Sequence, residues 1–79
     1  MCGIIGINSN KPVSSTLINS LKKLEYRGYD SAGIVTLYEG LINELKTEGR
    51  VNNLEKNSMM QNMKGTIGIG HVRWATHGV

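Results

Sequence analysis

The chain has one cysteine, Cys2, next to the initiator methionine. That fact limits how the chain can be held together. One cysteine cannot close an intramolecular disulfide, and one cysteine with two histidines gives no recognised zinc spacing. No metal is therefore expected, and no cofactor is read from the sequence either. Yet at 79 residues a small core is usually supplemented by disulfides or metal. A chain of this size buries only about 60% of its unfolded surface. Hydrophobic residues make up 39%, with no Phe and one Trp, and ten glycines raise the entropic cost of ordering. The composition fits one small domain and hints at a part of something larger.

Charge excludes little but points away from two classes of partner. Nine Lys and Arg against six Asp and Glu give a net charge of +3. The basic residues are scattered, and no aromatic–basic interleaving marks a strand-binding groove, so no nucleic acid is expected. There is no basic segment leading into an apolar one, and no apolar stretch long enough to span a bilayer. The expectation is a cytoplasmic chain without membrane association, in a reducing compartment that keeps Cys2 a thiol.

In chain order, residues 3–7 read as a short, fully buried strand of Ile4, Ile5 and Ile7. Gly6 interrupts it, and a glycine there suggests close approach by another backbone or a ligand. Asn8 to Pro12 is turn chemistry. Val13, Leu17, Leu21 and Leu24, with Ile18, form the apolar stripe of a helix. Pro12 suits its first turn, Lys22 and Lys23 its last, and Gly28 is placed to cap it. Ser31–Tyr38 reads as a strand, Glu39-Gly40 as a tight turn, and residues 41–46 as the second arm of a hairpin. Val51 and Leu54 have helical spacing, but four asparagines weaken that helix, which is expected to be short and frayed over 51–60. The methionines there are read as loose core contacts. A last strand covers 66–72. Gly65, Gly68 and Gly70 do not form a dinucleotide fingerprint, so phosphate cradling is not expected.

Two polar clusters lie at the ends of these elements, 25–31 and 71–78. Arg73 has the bidentate fork that suits a carboxylate, and Trp74 could cover a site beside it. Singly, each residue has a plain explanation: a surface ion pair for Arg73, a packing anchor for Trp74, a hydrogen-bonded turn residue for His77. Cys2 is the chemical outlier. Removal of Met1 would leave one residue carrying both a thiol, pKa about 8.5, and an α-amine, pKa about 8. That is a nucleophile with its own proton acceptor. An incidental, inert thiol is the alternative.

Three blocks occur in order: Cys-Gly-Ile-Ile-Gly from Cys2, Leu-Glu-Tyr-Arg-Gly-Tyr-Asp-Ser-Ala-Gly-Ile over 24–34, and Gly-His-Val-Arg-Trp-Ala-Thr-His-Gly over 70–78. Together they resemble the glutaminase domain of the glutamine–fructose-6-phosphate aminotransferase (glucosamine-6-phosphate synthase) family. These are class II glutamine amidotransferases with the N-terminal nucleophile hydrolase fold. The resemblance implies an α+β chain, the N-terminal part of an αββα sandwich. Residues 1–79 would be a partial amidotransferase domain with no isomerase domain.

The resemblance also implies roles. Cys2 would attack the side-chain amide of glutamine with its α-amine as base, with Gly3 and Arg27 supporting it. Arg73 would hold the substrate's α-carboxylate, Trp74 would belong to a closing loop, and Thr76 and His77 would complete the pocket. The family's oxyanion donors and its acceptor for the α-amine lie beyond residue 79. The expectation is therefore an N-terminal fragment that needs glutamine and the remainder of the synthase in trans, or that self-associates. The alternative is an inactive remnant or an interaction piece docking on an intact synthase.

Overall fold

The computed structural model describes residues 2–24 and 31–73. The apolar run behind Cys2 forms β1 (Cys2–Asn8), followed by α1 (Ser14–Leu24). A hairpin of β2 (Ser31–Tyr38) and β3 (Leu41–Glu48) comes next. A short helix α2 (Asn52–Lys56), a 3₁₀ turn (Ser58–Asn62) and β4 (Ile67–Arg73) complete the described chain. The four strands form one antiparallel sheet in the order β1-β4-β2-β3. The chain is α+β, as expected.

Strand alternation gives the sheet two unlike faces. The inner face carries Ala32, Ile34 and Val72, all buried, and is covered by α1 through Val13, Leu17, Ile18 and Leu21. Val51, Leu54 and Met63 extend this core beneath the hairpin, and Ile5, Ile7, Leu24, Leu45 and Met60 pack around it. Each fully buried aliphatic side chain is worth about 1.5–3 kcal/mol. Lys22 Nζ meets Glu55 Oε1 at 2.6 Å and ties α1 to α2. The outer face leaves Ile4 and Ile42 each 74% exposed, with Leu37, Ile67 and Ile69 beside them.

Several details differ from expectation. The first strand is not fully buried: β1 lies at the sheet edge and its Ile4 is 74% exposed. Gly6 is open, with nothing near the place a Cβ would take. Close approach occurs instead at Gly68 and Gly70. A Cβ on Gly68 would stand 2.8 Å from Leu17 Cδ1, and one on Gly70 3.1 Å from Leu21 Cδ1. The β4 glycines thus let α1 lie down on the sheet. Pro12 stands ahead of the helix rather than in its first turn. The Leu17 N–H donates to the Val13 carbonyl to begin α1, and the Val13 N–H is taken by Gly65 O at 3.0 Å. The expected 51–60 helix is two pieces. Asn57 is extended at φ −70°, ψ 132°, and its side chain accepts from the Met59 N–H, ending α2 and starting the 3₁₀ turn. The methionines divide: Met63 is buried, whereas Met59 is 54% exposed. The strands expected at 41–46 and 66–72 run to Glu48 and from Ile67 to Arg73. The Glu39-Gly40 turn is as expected, with positive φ at both residues (52° and 77°), the hand that matches strand twist. The proposed Gly28 cap lies outside the described residues.

Candidate active site

β1 and β4 bring the first and last of the described residues together. In register, Cys2 stands opposite Arg73 and Gly3 opposite Val72. Antiparallel partners have Cα atoms about 4.5–5.5 Å apart, so Cys2 and Arg73 are immediate neighbours despite their separation in sequence. Ser31 pairs with Arg73 on the other side and with Glu48 beyond it. One row across the sheet therefore reads Cys2, Arg73, Ser31, Glu48. Gly3, Val72 and Ala32 face the core in the next row, so Arg73, Ser31 and Glu48 belong to the outer face by alternation.

Sequence favours this placement. β1 has no charged residue, which suits a strand held against α1 at Gly3, where a Cβ would meet Leu24 Cδ1 at 2.9 Å. β4 alternates glycine and valine inward (Gly68, Gly70, Val72) with Ile67, Ile69, His71 and Arg73 outward. The alternation carries Arg73 to the outer face at the strand's end, where it is exposed. The second outer row is Ile4, His71, Gly33, Lys46, with His71 half-buried. Polarity thus falls along the sheet from the Cys2 row towards Ile67, Leu37 and Ile42 at the far end.

Of the expected site residues, Cys2, Gly3 and Arg73 are brought together. Arg27, Trp74, Thr76 and His77 lie outside the described residues. His71 was not singled out from the sequence, although its two-residue spacing from Arg73 on a strand puts both on one face. Two hollows lie away from the Cys2 row. A shallow one of about 180 Å³ is lined by Val35, Leu37, Ile42, Ile67 and Ile69 on the apolar part of the outer face. Another of about 430 Å³ lies between Pro12, Tyr38, Met60 and Lys64, whose ammonium sits 5.9 Å from the Tyr38 ring centre. Among the described residues there is no group of three metal-ligating side chains, and no helix is long and apolar enough to cross a membrane.

Over nearly its whole length the chain is similar to known enzymes. Over 78 residues, 99% of this chain, it is 55% identical to a glutamine–fructose-6-phosphate aminotransferase from Bradyrhizobium diazoefficiens. The chain matches the amino-terminal part of that enzyme. Enzymes of the same name from Bartonella henselae and Brucella abortus are 53% and 56% identical over 79 and 78 residues. The chain spans 13% of the length of each of these relatives. No family model matches it. Among solved structures, an allosteric regulatory enzyme of purine biosynthesis superposes with a TM-score of 0.86 at 29% identity, over the whole of this chain and 17% of its own. That neighbour has the N-terminal nucleophile hydrolase fold, and the four-stranded sheet with its helices is part of such a fold.

Proposed function

We propose that residues 1–79 supply the nucleophile and the carboxylate clamp of a glutaminase, the part of glutamine–fructose-6-phosphate aminotransferase that releases ammonia for glucosamine-6-phosphate synthesis. The pairing of Cys2 with Arg73 carries this reading. Once Met1 is removed, the Cys2 α-amine takes the thiol proton and the sulfur attacks the side-chain amide carbon of glutamine. The C–N bond breaks, ammonia leaves with a proton from the ammonium, and a thioester remains. Water then cleaves the thioester to glutamate and restores the thiol. Arg73 binds the substrate α-carboxylate through its two-pronged guanidinium, one strand from the reacting sulfur. Trp74 closes over the substrate, Thr76 and His77 complete the pocket, and Arg27 and Gly3 support Cys2. The chain acts in the cytoplasm with the remainder of the synthase, which provides the oxyanion donors.

A second reading is favoured by the exposed isoleucines of the outer face: a non-catalytic piece that docks on an intact synthase or on itself. One kinetic experiment separates the two. Residues 1–79 replace the matching segment of the Brucella abortus relative, and glutamine hydrolysis by the chimera is measured. Arg73→Lys should raise KM for glutamine at least about tenfold with a smaller change in kcat, because a point charge replaces a fork. An unchanged KM rules out the clamp, and a chimera with no hydrolysis favours the docking piece.

A further inference from the structure

Among the described residues, Gly33 is the one outer-face glycine whose side-chain space is taken by another residue. A Cβ built there would stand 2.5 Å from His71 Nε2, 3.0 Å from His71 Cε1 and 3.2 Å from Lys46 Cγ. The Nε2–Cε1 side of the imidazole therefore takes up the hollow the glycine leaves on β2. By contrast, Gly6 on the same face has nothing within 4 Å. The seat lies one row from the Cys2–Arg73 pair, since His71 pairs with Ile4 on one side and Gly33 on the other. His71 and Arg73 are separated on β4 only by Val72, which faces the core with 1% exposure.

This arrangement bears on Arg73. Closing the other places a long arginine side chain can lie helps to pre-organise it, because ordering such a chain costs binding energy. The hollow over Gly33 is such a place: it is within reach along the strand, on the same face and on the side away from Cys2. His71 fills it. We propose that His71 is a positioning residue, which by occupying the Gly33 hollow keeps the Arg73 guanidinium on the Cys2 side of β4. The inference rests on the glutaminase reading above and adds to it a residue pair, Gly33 and His71, that sets substrate affinity through Arg73.

The test uses the same chimera, with kcat, KM and thermal melting measured for each variant. His71→Ala should raise KM for glutamine about three- to tenfold, the cost of ordering one rotamer-rich side chain, with kcat within about twofold. Gly33→Ala should displace the ring and act in the same direction. The pair together, which refills the hollow with a methyl group, should bring KM back towards the parent value. His71→Phe, a ring without nitrogens, should rescue KM and so covers the case in which His71→Ala fails to fold. In an Arg73→Lys background, His71→Ala should add no further rise in KM. The proposal is overturned if His71→Ala leaves KM unchanged, if His71→Phe is as impaired as His71→Ala, or if the His71 and Arg73 effects multiply. An unchanged KM in Arg73→Lys alone overturns the clamp reading instead, and an inactive chimera overturns both.

Discussion

At the scale of single residues, the proposed chemistry depends on one covalent event. An acylated α-amine is no base, so Met1 must leave before Cys2 can act. The intact mass of the purified chain should lack methionine, and a mass that includes it would remove the nucleophile role for that preparation. A second residue departs from an otherwise apolar interior. Thr36 is 1% exposed and its Oγ1 has no hydrogen-bond partner among the described residues. A buried hydroxyl left unpaired costs about 1–3 kcal/mol. Thr36→Val keeps the shape and removes that group, so it should raise the melting temperature of the chimera; a lower one would mean that the hydroxyl is paired.

At the scale of elements, α1 and the sheet are matched through glycine. A Cβ at Gly68 would meet Leu17 Cδ1 at 2.8 Å and the Val35 carbonyl oxygen at 2.9 Å, and a backbone atom cannot swing aside. Gly68→Ala should therefore destabilise by about 1–3 kcal/mol in thermal melting. Gly6→Ala, where the space is open, should be neutral or stabilising by a few tenths, up to about 1 kcal/mol. Equal effects at the two positions would contradict the packing described. This contrast also marks the limit of the sequence. β-Branched runs and the 3–4 spacing of Val13, Leu17, Leu21 and Leu24 made the strands and α1 legible, because local preference and burial agree there. A run of glycines says that something comes close but not what. Gly6 is open because nothing among the described residues covers the outer face there, whereas Gly68 and Gly70 lie under a helix that only the folded chain brings there. The break at Asn57 was hidden for a related reason: its side chain competes with the helix for a backbone N–H, and poor helix formers on both sides gave no single stop. The Cys2–Arg73 neighbourhood was legible only through family resemblance, since strand register depends on the whole sheet.

At the scale of the whole molecule, the described chain is one sheet with a single covered face. β1 and β3 are its edges. β3 carries Glu44, Lys46 and Glu48, charges of the kind that discourage pairing with other chains, while β1 carries none. Ile4, Ile42 and Ile69 remain exposed on the outer face. The isolated 79 residues should accordingly self-associate or melt without a sharp transition, and release no ammonia from glutamine. The chain spans 13% of the length of its relatives, so the proposed nucleophile and clamp are tested in the full-length chimera. The most direct test is therefore a paired assay of glutamine-dependent ammonia release by the chimera and by its Cys2→Ala variant. The expected result is release by the first and none by the second, with glutamine binding retained in both. Release that survives Cys2→Ala would contradict the central claim that this chain carries the nucleophile.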